Sequence, residues 1–169
     1  MAEDTAGIVG KVIAELHDKD GNLISRCEVD NLVTAVGDQY YAGRAALATG
    51  LPVQVTGFRL GTGSTAPAKT GAGAAIVTYL LTSNQAPDAT FPTVVAGVVT
   101  YKVTYAAGTA NSVGVPITEV VLNNDTIANN NATTATAANT IARALLVGIG
   151  GKGVSDTLTI TWTHTLLGA

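Results

Sequence analysis

Polar and apolar residues alternate along DTLTITWTHTLL near the C-terminal end, the clearest local pattern in the 169-residue chain. Thr157, Thr159, Thr161, Thr163 and Thr165 fall on one face, and Leu158, Ile160, Trp162 and His164 on the other. A period of two is that of a strand with one face on a core, and a threonine ladder suits the face that meets water. The same period runs through GIVGKVIAELHDKDGNLISRCEV, where Val12, Ala14, Leu16 and Leu23, Ser25, Cys27 take alternate positions around DKDGN. Gly21 there is free to adopt positive φ, so the segment predicts a β-hairpin. VQVTGFRL and VVTYKVTYAAG alternate as well, while ITEVVL and IARALLVGIG are short apolar runs; all four are expected to be strands.

The period changes once. In DNLVTAVGDQYYAGRAALATG, Val36, Tyr40, Arg44 and Leu47 recur at spacings of three and four, behind Asp30, Asn31 or Thr34 as capping residues. Gly50 and Pro52 close the pattern. This predicts a single helix, anchored on a sheet by the Tyr40-Tyr41 pair. Two long polar connections, LTSNQAPDATFPT and LNNDTIANNNATTATAAN, separate later strands and are the expected place for binding surfaces. A hairpin, one helix and then several antiparallel strands are not the alternation that builds a parallel α/β sheet. The expected fold is mainly β: one domain over residues 1–169, an antiparallel β-sandwich of jelly-roll type with one short α-helix and an N-terminal arm of about seven residues. An open barrel is the alternative.

Composition changes the picture of the surface. Charged residues are 12%, against about 25% in ordinary soluble domains, while hydrophobic residues are 47% and 19 residues are glycine. The exterior must therefore be largely neutral hydroxyl and amide groups. Net charge is −3, and the nine basic residues form no run, so nucleic-acid binding is not expected. A lone Cys27 permits no internal disulfide and no Cys/His zinc cluster. MAEDTAGIVG lacks the basic and apolar regions of a secretory signal, and no apolar run approaches the roughly 18 to 20 residues of a membrane span.

Several motifs imitate active sites. GTGSTA at Gly61 to Ala66 fits the turn of a dinucleotide site, yet Pro67 follows where a helix must begin, and the next acid, Asp88, sits in a proline-containing connection. GIGGKG has Leu146 where a phosphate-binding loop needs glycine, and Gly153 where it needs Ser or Thr. Both read as turns. Spacing in DKDGN puts glycine fourth rather than sixth, which favours the hairpin over a calcium loop. His17 and His164 lie on predicted strands with no G-x-S-x-G elbow, and Cys27 alternates with apolar positions as a small core residue. Asp18 and Asp20 share a solvated turn, without the burial that shifts a carboxylate pKa. Glu119 in ITEVV and Arg143 in IARALL are each a charge inside an apolar strand, and are expected to form a structural ion pair. No catalytic residue, cofactor or metal is expected.

The order of the pieces is more distinctive than any one of them. DKDGN, NLVTAVG, FRLGTGSTA, VTYKVTYAAG, ITEVVL, IARALL and SDTLTITWTHTLL follow one another over nearly the whole chain. This series resembles small structural proteins of tailed-bacteriophage virions. The resemblance implies a β-rich, non-enzymatic protein that assembles in copies on the particle, made in the host cytoplasm. The leading expectation is a capsid decoration, or cement, protein: a homotrimer bound to the major capsid protein on the outside of an icosahedral shell. A tail, baseplate or fibre component is the alternative. A carbohydrate-binding or adhesive module is a third, weakened by an aromatic content of 5%. Expected interface residues are Glu3, Asp4 and Thr5 of the arm, together with Phe91 in the first polar connection. Low charge suits such a role, because it removes repulsion between copies that pack side by side.

Overall fold

A computed structural model describes residues 7–126 and 136–166. Its framework starts from the hairpin of β1 (Val9–His17) and β2 (Leu23–Asp30). The Asp18 carboxylate shapes the turn between them, accepting from the backbone N–H of Asp20 at 2.8 Å and of Asn22 at 2.9 Å, with Gly21 at φ 83°. After the two-residue β3 (Leu32–Val33) comes helix α1 (Ala35–Ala46). The later strands are β4 (Gly57–Gly61), β5 (Thr93–Val95), β6 (Val98–Tyr105), β7 (Glu119–Asn123), β8 (Thr140–Leu145) and β9 (Thr157–Thr165). A 3-10 turn spans Gly71–Ala74.

These strands form two antiparallel sheets, ordered β2-β1-β9-β6-β5 and β3-β8-β7-β4, which pack as a β-sandwich. β1 and β9 pair along their whole length, from Val9↔Thr165 to His17↔Thr157, so segments far apart in sequence form the middle of the larger sheet. Alternation decides which side faces in. Val12, Ala14 and Leu16 of β1, Tyr101, Val103 and Tyr105 of β6, and Leu158, Ile160 and Trp162 of β9 are buried, while the threonines of β9 are half-exposed. Phe58, Leu60, Val120, Leu122, Ala142 and Ala144 meet them from the other sheet, with the Phe58 and Trp162 rings 6.2 Å apart. Each such aliphatic or aromatic side chain contributes on the order of 1.5–3 kcal/mol when fully buried.

The smaller sheet differs from the alternating expectation. Every residue of β4 and β7, and nearly every one of β8, is buried, because connecting chain covers the outer face too. VQVTGFRL is correspondingly not one strand: Val53 is exposed, and pairing begins only at Gly57. There the ladder with β7 starts, and Gln85 backbone covers the other edge so closely that an added Cβ on Gly57 would stand 2.5 Å from its carbonyl oxygen. In VQV only Val55 packs against the core, and it does so from outside any strand.

Of the three capping residues considered, Thr34 is the one used. Its Oγ1 accepts from the Gly37 N–H at 3.0 Å and donates to the Thr140 carbonyl at 2.5 Å, so it both starts α1 and ties it to β8. Gly37 brings the helix against that strand, since a Cβ there would enter the space of the Ile141 carbonyl oxygen. Gly37→Ala is therefore expected to destabilise by about 1–3 kcal/mol. Gly150→Ala, where an added Cβ meets nothing within 4 Å, is expected to stay within about 0.5 kcal/mol. Denaturant unfolding followed by Trp162 fluorescence measures both; equal effects would remove the helix–strand approach from this account.

Candidate functional site

Three places concentrate polar chemistry. The first is the outer face of the smaller sheet. Register sets Val121 opposite Arg143, and Glu119 lies two residues back on the same face of β7. Both charges are fully buried, and Arg143 Nη2 donates to Glu119 Oε2 at 2.7 Å, with Nε at 3.3 Å from the same oxygen. Glu119 Oε1 accepts from the backbone N–H groups of Gly63 (2.9 Å), Thr78 (2.9 Å) and Val77 (3.1 Å). Arg143 Nη1 donates to the carbonyls of Thr65 at 2.6 Å and Gly73 at 3.3 Å. The turn that imitates a dinucleotide site thus offers one of its N–H groups to an anion within the protein. The spacing that put one charge in each apolar strand also placed them within reach, and the structure brings Glu119 and Arg143 together.

Two further buried cations escaped the sequence reading. Arg59 on β4 is 1% exposed; its Nη2 donates to the Thr126 carbonyl at 3.1 Å and lies 3.6 Å from Asp125 Oδ2. Burial pushes its pKa down. Lys152, in the glycine turn GIGGKG, is buried with Nζ donating to the Ala106 carbonyl at 3.0 Å, and burial lowers its pKa as well. A single cation within an apolar run was the available signal for Arg59. For Lys152 the surrounding glycines concealed it.

The second place is the junction of α1 with the larger sheet. His164, fully buried at the end of β9, stacks edge-on with Tyr41 (5.5 Å), Trp162 (6.0 Å) and Tyr101 (6.3 Å). Trp162 Nε1 donates to His164 Nε2 at 2.9 Å. An indole N–H can only donate, so Nε2 holds the lone pair and Nδ1 the proton, which goes to the Tyr41 hydroxyl. Both ring nitrogens are therefore engaged, and neither is open to a substrate. Burial lowers the histidine pKa to about 4 and raises those of Tyr41 and Tyr101. The Tyr40-Tyr41 pair, 5.0 Å between centroids, anchors the helix through this cluster.

Tyr41 also stands between two concavities. One, of about 690 Å³, is lined by Gly7, Ile8, Asn31, Leu32, Asp38 and Lys69 among others; the Lys69–Asp38 ion pair (2.7 Å) lies on its wall. The other, of about 240 Å³, lies between α1 and β5 and is mostly apolar, with Tyr40, Arg44, Val55, Pro92, Val94 and Leu166 in its lining. The third place adjoins it: the open edge of β5, where Val94 and Val95 are 69% and 70% exposed. Phe91, half-buried, precedes β5 by two residues. Glu3, Asp4 and Thr5 lie outside the described residues, as does the 127–135 part of the asparagine-rich connection.

Cys27 is buried in the core and burial raises its thiol pKa. Among the described residues no three His, Cys, Asp or Glu side chains are placed to hold a metal ion, and no helix is long and apolar enough to cross a membrane. No protein-family model matches the chain, and no curated protein or solved structure matches it either.

Two outcomes are expected. Arg143→Met leaves the Glu119 charge buried without its partner and is expected to cost about 3–5 kcal/mol in denaturant unfolding; a loss below about 1 kcal/mol would show that the pair does not hold the 62–79 connection. For His164 the folded pKa, about 4, lies below the ordinary 6.5, so the unfolded chain binds the extra proton first. Stability is fully present above pH 6.5 and falls as pH drops toward 4, by about 3 kcal/mol. His164→Gln is expected to flatten that part of the stability–pH curve, which thermal melts at pH 7, 5.5 and 4 would reveal.

Proposed function

We propose that this chain is a non-enzymatic structural protein of a virion, a decoration protein that binds the outer surface of an icosahedral phage capsid as a homotrimer and stabilises the shell through the major capsid protein. The observation that carries the reading is the ordered series of segments from DKDGN to SDTLTITWTHTLL, which resembles such proteins along nearly the whole chain. The fold adds physical support. The two edges of the larger sheet carry exposed aliphatic side chains, Leu23 and Ile24 on β2 and Val94 and Val95 on β5. Edges of that kind call for cover, and assembly supplies it. The half-exposed threonine face of β9 and the low overall charge let copies approach without strong repulsion. A protein that binds only the assembled shell shifts assembly toward it by mass action.

Cosedimentation with DNA-filled heads that lack the protein, prepared apart from tails, tests this reading. Saturable binding, with heads then surviving a higher temperature, is the expected result and yields the copy number. Binding to isolated tails but not to heads would move the protein to the tail components. Removal of residues 1–6 is expected to weaken head binding by at least about ten-fold, roughly 1.4 kcal/mol, while the thermal midpoint of the free protein stays unchanged.

A further inference from the structure

We propose that the open edge of β5 and the groove beside it receive the N-terminal segment, residues 1–6, of a second copy of this chain as an added strand. The inference rests on the assembly reading above and names the surface that assembly would use. β5 ends the five-stranded sheet, and among the described residues no strand pairs with its outer edge. Its sequence, TVV, carries none of the charges that blunt such edges, and its valines stand in solvent. The opposite edge differs: on β2, Arg26 and Glu28 pair with each other and with Glu15 and Lys11 of β1. An extended peptide can join β5 through main-chain hydrogen bonds, with side-chain selection left to the adjoining groove.

The groove states what it selects. Its lining is apolar and aromatic except for Gln54 and Arg44, and Arg44 is its one charge, with the guanidinium 5.7 Å from the Tyr40 ring centroid. Among the described residues Arg44 forms no ion pair and its buried Nε bonds nothing, whereas Lys11, Lys19, Arg26 and Lys69 each hold a carboxylate. MAEDTA brings two carboxylates, Glu3 and Asp4, among small residues and without proline. Charge and size therefore match.

Distance assigns the segment to a neighbour. Gly7 and Ile8 line the larger concavity, which shares Tyr41 with the groove, and the outer edge of β5 lies further off. Within the sheet, β9, β6 and β5 all lie between β1 and a strand added beyond β5. Four inter-strand spacings are about 19 Å, and six fully extended residues reach about 20 Å, so the chain's own segment would be spent on arrival. A second copy can approach the edge directly.

Sedimentation velocity over a concentration series tests this with the full chain, the 1–6 deletion, Arg44→Glu and a Glu3→Lys/Asp4→Lys variant. Wild type is expected to self-associate, and each change to raise the dissociation constant at least about ten-fold. Arg44 is on the partly exposed face of α1, and circular dichroism melts check that the variants fold. Mixing Arg44→Glu with Glu3→Lys/Asp4→Lys is expected to restore association, because the acidic segment of the first then meets the intact groove of the second. Unaltered association in Arg44→Glu or in the deletion, no restoration on mixing, or a wild type that stays monomeric throughout would overturn the proposal. Head cosedimentation of the same proteins keeps the two ideas apart. A monomer that binds heads retains capsid decoration but overturns both the homotrimer and this proposal; self-association through the groove without head binding keeps this proposal and overturns decoration.

Discussion

Glu119 and Arg143 are buried together on adjacent strands of the smaller sheet, and the connection from Gly63 to Thr78 is held down by what they bond. Charges taken out of water lose several kcal/mol of hydration each, which their attraction offsets only when the remaining polar atoms are also paired. Here they are. One carboxylate oxygen takes three backbone N–H groups, the other takes the guanidinium, and the far end of the guanidinium takes two carbonyls. A connection that would otherwise leave its own backbone groups unsatisfied becomes the lid of a second, smaller core of Ile76, Val121 and Tyr79. The pair holds the 63–78 part of the cover over the smaller sheet, while α1 lies against Ile141 of β8 and Gln85 lies beside β4.

The larger sheet is stabilised differently. One face packs on the core and the other presents threonine and a few exposed ion pairs, which contribute little individually. Its end is closed by α1 through a cluster in which a neutral histidine accepts a hydrogen bond from tryptophan and donates one to tyrosine. The two arrangements leave different surfaces. The smaller sheet is covered, while the larger ends in edges with exposed valine, leucine and isoleucine beside a groove with a single unneutralised cation.

Alternation identified β1, β6 and β9 because each has one wet face, so side-chain polarity records which way a residue points. It failed at VQV, which pairs with no named strand: Val53 is exposed, and only Val55 packs against the core. For β7 and β8 the signal was a short apolar run, and within each run the single charge was legible as one half of a pair. Arg59 carried the same signal within GFRL but was absorbed into the apparent alternation. Thr34 stood among three capping candidates, and the neighbouring Thr140 carbonyl, more than a hundred residues away, is what distinguishes it.

The sequence by itself determined the local elements: the hairpin, the helix, the strand faces and the β class, since these depend on periodicity and turn residues within a few positions of one another. Only the tertiary structure decided that β1 and β9 share the middle of a sheet, that chain folds over the outer face of β4, β7 and β8, and that His164 loses its solvent to α1. It also decided that β5 is left at an edge beside Arg44. These outcomes join residues far apart in the chain, and their energies come from burial and desolvation, which depend on neighbours that no local pattern encodes.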